Sequence, residues 1–243
     1  MASVDLPPLK KAIKELAGLY GIEVVGYLKL DRKAVIPGDE ISLLKGVPYA
    51  EGQVRTDGVR NPLDIMPEAR ALIILGKRLL DDRQDVYFEI AGGRSVSAES
   101  LILDAACRKT SALLEEAGFQ AEEYTSYYLK AWAALAGLGW IGKSRMFVSK
   151  DHGPRLRLRA ILTDAAIGEK HKVIPDESCG ACTACIDACP VGAIRESEVS
   201  RKKCGGCALN HREIAAHVRS YCTCCTSACP VGQDAPFLQK GLD

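Results

Sequence analysis

The run CGACTACIDACP at residues 179–190 limits this chain more tightly than any other stretch of its sequence. It has the pattern C-x2-C-x2-C-x3-C-P. Three thiolates separated by two-residue gaps wrap one compact inorganic cluster, and the fourth is carried away from it by a longer gap. Structural zinc sites instead use two separated pairs of ligands. The spacing therefore predicts iron–sulfur ligation, with zinc as the alternative.

A second run, YCTCCTSACP at residues 221–230, ends the same way. In two-cluster ferredoxins the fourth cysteine of such a run ligates the other cluster. That rule gives cluster one Cys179, Cys182, Cys185 and Cys229. Cluster two receives Cys189, Cys222 and Cys225. The second run lacks its own first cysteine, because Arg219 stands three positions before Cys222. The missing ligand must come from KKCGGCALN, which offers Cys204 and Cys207. The one not used is a spare, as is Cys224.

Of the eleven cysteines only Cys107 precedes residue 179, and the other ten lie between Cys179 and Cys229. This shift predicts two domains, residues 1–170 and 171–243. Apolar residues make up 47% of the chain, enough for a core, and 32 basic against 31 acidic residues leave a net charge of +1. Such a balance has no footprint for nucleic acid or an anionic membrane and points to a small molecule or a protein partner. The N-terminus lacks a secretory signal, and no run approaches the ~18 apolar residues of a membrane span. A cytoplasmic protein with no membrane association is expected, and its cysteines are then not disulfides.

Periodicity predicts a helix over residues 7–20, with Leu9, Ile13, Leu16, Ala17 and Tyr20 on one face. IEVVGYLKL reads as a strand, and the apolar run in RALIILGKRL as a buried central strand. A longer helix is predicted over residues 97–117, beginning at Ser97 and stopping at Gly118. Cys107 falls inside it as a small core residue. Another helix is expected near residues 127–136, followed by strands in RMFVSK and LRLRAILTD. Residues 31–66 read as irregular. His211 and His217 fall in an expected helix between cluster ligands. Helices and strands interleave without a βαβ period, which favours an α+β layered fold.

The segment AGLGWIGKS at residues 136–144 places Gly137, Gly139 and Gly142 around Trp140. Glycines this dense admit a bulky neighbour or permit positive φ. The segment fits neither a P-loop nor a dinucleotide-binding fingerprint.

AGLGWIGKS, followed about 35 residues later by CGACTACIDACPVGAI, resembles the epoxyqueuosine reductase family. RNPLDIMPEARALIIL at residues 60–75 is similar to a family segment leading into a central strand, and RKKC resembles the segment that supplies the isolated cluster-two cysteine. The resemblance spans roughly residues 50–232. It implies a nitroreductase-like mixed α/β domain that binds cobalamin, followed by a bacterial-type two-[4Fe-4S] ferredoxin domain, and a relationship to reductive dehalogenases. It selects Cys204 over Cys207. It implies a corrinoid held by Arg60, Gly139, Trp140, Ile141, Gly142, Lys143 and Ser144, with a low-potential ferredoxin- or flavodoxin-type donor. The substrate would be a small molecule or a modified nucleoside.

Three departures qualify the likeness. The family's proton-donating aspartate has no counterpart in EEYTSYYLK, where Glu122, Glu123, Tyr127 and Tyr128 are the replacements. The second run ends CPVGQDAP rather than CPWN. The sequence is that of a short member, stopping 14 residues after Cys229 without the family's tRNA-holding region, which puts a tRNA partner in doubt. The leading expectation is a corrinoid-dependent iron–sulfur reductase. The alternative is an electron-transfer protein or reductive activator of a corrinoid or flavin partner; a flavin-dependent reductase on the same scaffold is a third reading.

Overall fold

A computed structural model describes residues 6–30, 61–80, 85–92, 94–125, 129–170, 179–196, 198–210 and 212–233. The first helix, α1 (Leu6–Leu19), buries Leu9, Ile13 and Ala17, which recur every four residues. Strand β1 (Val24–Lys29) follows, then one helical turn, α2 (Pro62–Ile65), capped by Asn61. Strand β2 (Ala71–Arg78) is buried along its whole length, as its apolar run predicts. Strands β3 (Asp85–Ile90) and β4 (Arg94–Val96) lead into α3 (Ala98–Glu116). The Ser97 hydroxyl accepts from the Ser100 amide at 3.2 Å and so starts α3, and Gly118 at φ +85° ends it. Strand β5 (Ala121–Tyr124), α4 (Leu129–Leu135), β6 (Gly139–Ile141), β7 (Phe147–Ser149) and β8 (Leu156–Thr163) complete the first part of the chain.

The main sheet is antiparallel with strand order β1-β2-β8-β5. Because side chains alternate across a strand, β2 feeds two cores at once. Ile73 and Leu75 join Ile161 beneath α1 and α3, where Leu103, Cys107 and Leu114 also lie. Leu72 and Ile74 join Ala160 and Leu162 on the opposite face, against Tyr124 and Trp132. Cys107 is 1% exposed, as expected of a core residue.

Beyond residue 179 the elements are short: α5 (Ala184–Asp187), α6 (Arg201–Gly205), β9 (Arg212–Ala215), β10 (Val218–Tyr221) and α7 (Cys224–Ser227). The described segment around His217 is a hairpin and not the helix that its sequence suggests. His217 occupies the turn with φ +60°, and β10 pairs with β9 on one side and β3 on the other. The resulting sheet, in the order β4-β3-β10-β9, carries strands from both parts of the sequence. Ile214, Val218 and Tyr221 recur at i, i+4 and i+7, the spacing of a helix, and the hairpin forms instead through the pairing of β10 with β3 and β9. Among the described residues no helix is long and apolar enough to cross a membrane.

Candidate iron–sulfur and cofactor site

The two cysteine runs fold as local repeats. Thr183 precedes α5 with φ/ψ of −115°/3°, and Thr223 precedes α7 with −111°/4°. Ile186 donates its amide to the Thr183 carbonyl at 2.8 Å, and Thr226 to that of Thr223 at 2.9 Å. Each short helix thus turns its run back on itself, and α5 packs against α7. At the position matching Cys179, Arg219 lies in β10 and pairs with Glu89 at 2.9 Å. A strand engaged on both sides occupies the place where a first cysteine would have begun a loop.

The thiols gather in two groups. Cys179, Cys182, Cys185 and Cys229 line one cavity, although 40 residues separate Cys189 from the last of them in sequence. Burial raises the Cys185 thiol, and the neighbouring Cys179, Cys182 and Cys229 raise it further. The second group surrounds Cys189. Burial raises Cys204, and Cys189 and Cys207 add to this. Cys225 lies between the groups. It lines the first cavity, and its thiol is pushed up to about 12 by burial and then by Cys204, Cys185 and Cys189. Cys189 itself is lowered. Burial pushes it up, but the amides of Ala193, Val191, Ile194 and Gly192 outweigh this, and Ala193 N lies 3.2 Å from Sγ. Amide donors around a sulfur favour its thiolate, the form that binds metal.

Two residues absent from the sequence-based site hold these thiols. Asn210 donates through Nδ2 to the Cys204 carbonyl and accepts at Oδ1 from the Cys222 amide at 2.8 Å. It therefore fixes two cysteines 18 positions apart. Arg155, 2% exposed, donates to the carbonyls of Ser227, Cys229 and Val231. No spacing rule marks either residue, since both act through backbone carbonyls or amides that only the fold brings near. Of the remaining cysteines, Cys207 is buried and Cys224 half-buried.

The Gly-Trp segment reaches this site. Gly142, Lys143 and Ser144 line the same cavity as Cys179. Lys143 Nζ donates to the Cys182 carbonyl at 3.0 Å and pairs with Glu196 at 2.8 Å. A Cβ on Gly142 would lie 2.9 Å from Val148 Cγ2 and 3.3 Å from Cys179 Sγ. On Gly139 it would lie 1.9 Å from the Val148 carbonyl oxygen. The space that these glycines leave is thus filled by β7 and by a cysteine. The indole Nε1 of Trp140 is buried without a hydrogen-bond partner among the described residues. Ile141 packs toward the Trp132 core.

Glu123 pairs across the sheet with Ile161, on the face beneath α1 and α3. The Gly-Trp segment packs on the opposite face, where Leu138 and Ile141 lie. The structure therefore does not bring Glu123 together with Trp140, and Glu122 is exposed at the same sheet edge. Arg60, Tyr127 and Tyr128 lie outside the described residues, as does His211.

A family model described as a 4Fe-4S binding domain matches residues 172–195. The epoxyqueuosine reductase of Synechocystis sp. is 43% identical over 77 residues, which are 31% of this chain and 26% of that protein. The chain thus spans about a quarter of the length of that curated relative. The fold resembles that of an epoxyqueuosine reductase solved with an epoxyqueuosine-modified tRNA stem loop. That likeness has a TM-score of 0.63 at 16% identity and covers 95% of this chain and 67% of the other. A reductive dehalogenase whose structure suggested a mechanism for B12-dependent dehalogenation shares the fold with a TM-score of 0.52 at 15% identity, over 84% of this chain and 30% of the other. The chain therefore has the mixed α+β fold of these reductases and carries a 4Fe-4S binding segment.

Proposed function

We propose that this chain is an iron–sulfur reductase with two [4Fe-4S] clusters that delivers electrons to a corrinoid for reduction of a substrate. The observation that carries the reading is the meeting of Cys229 with Cys179, Cys182 and Cys185 around one cavity while Cys189 turns to Cys204 and Cys225. That arrangement supports the exchange of fourth ligands expected of a two-cluster module. The proposed sets are Cys179, Cys182, Cys185 and Cys229 for cluster one, and Cys189, Cys204, Cys222 and Cys225 for cluster two. The donor chemistry fits the group, because four-iron clusters take cysteine thiolates; the thiols beside Cys222 are Cys224 and Cys207, so its place in cluster two rests on spacing and on Asn210. Residues 1–170 and 171–243 are the proposed cofactor and cluster domains, joined by the sheet that β3 and β10 share.

The corrinoid rests on narrower support. The shared fold and the unpartnered Trp140 indole favour it, with the first domain read as nitroreductase-like. The glycines do not contribute a cradle, since protein fills the space beside Gly139 and Gly142. When bound, a corrinoid would supply low-potential reducing chemistry through its cobalt. This chain's residues would hold the clusters, exclude water through the Gly142–Ser144 wall of the cavity, and present Lys143 beside cluster one. For proton delivery the sheet face of Glu123 makes it the weaker candidate and leaves Glu122, whose cross-strand partner Leu162 lies on the Gly-Trp face, and the phenols of Tyr127 and Tyr128. The substrate class is a modified nucleoside, drawn from the named relatives, or a small reducible molecule.

The filled glycine positions favour a second reading, in which the chain is an electron-transfer protein that activates a corrinoid or flavin held by a partner. Anaerobic purification with hydroxocobalamin separates the two. A corrinoid spectrum retained through gel filtration, with Trp140 fluorescence quenched, supports the reductase. Cluster-loaded protein that emerges without corrinoid supports the carrier, and a retained flavin spectrum supports the flavin alternative.

A further inference from the structure

Resting on the two-cluster reading, we propose that the surface around Cys204 is the docking site of an acidic redox protein, through which electrons enter at cluster two. Within the second group of cysteines Cys204 is the exposed one; Cys189, Cys222, Cys224 and Cys225 are half-buried and Cys207 is buried. A cluster ligand at the surface is a place where a donor's redox centre can come close. Among the described residues the chain just after Cys204 is also open. Gly205 and Gly206 follow Cys204, and a Cβ added at Gly205 would meet nothing within 4 Å. Leu209, 39% exposed, offers an apolar contact on the next turn.

Exposed cations directly precede Cys204 in the chain. Arg201, Lys202 and Lys203 form the helix α6 that presents Cys204, and all three are exposed. Arg212, also exposed, opens β9. From Ser200 to Arg212 the sequence contains no carboxylate. Glu198 and Glu213 bound this stretch, so the cationic rim is short. Cys182 of the first group is exposed too, but Glu196, which pairs with the Lys143 that bonds its carbonyl, stands beside it. A negatively charged partner is therefore steered to Cys204 rather than to Cys182. Electron-transfer encounters use small interfaces, and complementary charge acts mainly on the association rate. A short cationic rim around one exposed ligand meets that need without a large apolar face.

The step moves one electron. The reduced donor, an acidic protein carrying an iron–sulfur or flavin centre, is oxidised by one electron, and cluster two is reduced by one. No bond or proton is exchanged.

The test uses the cluster-loaded full chain and a reduced acidic [2Fe-2S] ferredoxin in anaerobic stopped flow. Lys202→Glu/Lys203→Glu should lower the second-order rate of cluster reduction by about tenfold or more at low ionic strength. The wild-type rate should fall with added salt, and that of the variant should depend on salt weakly or inversely. Reduction by a small photoreduced deazaflavin should be equal in both, as should iron content and the electron paramagnetic resonance of both clusters. Lys202→Gln/Lys203→Gln should fall between them and covers the case in which charge reversal impairs folding. An unchanged ferredoxin rate in fully loaded variants, or a wild-type rate indifferent to salt, overturns the docking site while leaving the two-cluster reading intact. Wild-type protein with only one cluster overturns both. If the substitutions spare the ferredoxin rate but weaken binding of a tRNA stem loop, the rim is a nucleic-acid surface and the proposal fails.

Discussion

Arg155 holds Cys229 from behind: its Nη2 donates to the Cys229 carbonyl oxygen at 2.7 Å. The same guanidinium reaches Val231 at 2.8 Å and Ser227 at 3.2 Å, so one buried side chain at the entrance to β8 fixes the segment that closes the first cavity. The backbone is interlocked there as well. A Cβ on Gly153 would lie 2.0 Å from the Val231 carbonyl oxygen, and one on Gly232 2.4 Å from the His152 carbonyl carbon.

Arg155→Met should therefore both destabilise the protein and strip cluster one. Removing the buried donor leaves carbonyls unsatisfied, at a cost of about 1–3 kcal/mol for each that stays buried. Arg155→Lys keeps the charge but loses the fork that reaches several acceptors, and should recover only part of the loss. Iron analysis and thermal melts of anaerobic preparations check this. Wild-type iron content in Arg155→Met would show that Cys229 needs no such anchor.

Gly142 is another point where the two parts of the chain touch. With Cys179 Sγ 3.3 Å and Val148 Cγ2 2.9 Å from an added Cβ, Gly142→Val should displace Cys179 and lower iron content. Gly18→Ala is the contrasting control. It is an exposed position in α1 with nothing within 4 Å of the new Cβ, and it should stabilise by about 0.5–1 kcal/mol. A Gly142→Val protein with full iron but a changed corrinoid affinity would assign the loop to the corrinoid instead.

The 4Fe-4S binding segment was legible because ligand spacing is local: C-x2-C-x2-C closes on itself wherever it is placed. The same holds for β2 and α3, whose apolar patterns and Ser97 cap are written in consecutive residues. The β9–β10 hairpin was not legible, because its pairing partner β3 lies about 130 residues away and His217 gives no sign that it will adopt positive φ. The meaning of Gly139 and Gly142 was open for a similar reason. Dense glycine states that something comes close, but whether that something is a cofactor or a strand is decided by tertiary neighbours. Asn210 and Arg155 escaped notice because their partners are main-chain atoms, which carry no sequence signature.

Asn210 offers a sharper test of the irregular second half. Cys204→Ser should degrade cluster two, whereas Cys207→Ser and Cys224→Ser should retain both clusters. Asn210→Ala should leave every thiol in place yet weaken cluster two, since it frees the Cys204 carbonyl and the Cys222 amide together. Double-mutant comparison of Asn210→Ala with Cys204→Ser should show strong non-additivity in iron retention. Loss of iron from Cys207→Ser but not from Cys204→Ser would exchange their roles.

Away from the clusters, Tyr27 gives the first core its own pH dependence. Its hydroxyl donates to the Lys10 carbonyl at 3.2 Å, and the Lys10 ammonium lies 4.9 Å from its ring centroid. Burial and then the negative charge of Glu169 push its pKa up to about 12. An unfolded tyrosine titrates near pH 10. The folded state therefore binds the phenolic proton more tightly than the unfolded state does. The stability that this confers is fully present below about pH 10 and is lost as the pH rises toward 12. A tyrosinate absorbance titration of wild type against Tyr27→Phe should reveal one phenol missing from the main transition and appearing only near the top of that window. Glu169→Gln should bring this phenol back toward the ordinary value, although not fully, because burial is the larger cause. If the difference titration instead centres near pH 10 in folded protein, water reaches the Tyr27 hydroxyl, and the packing of α1 against β1 is looser than the structure shows.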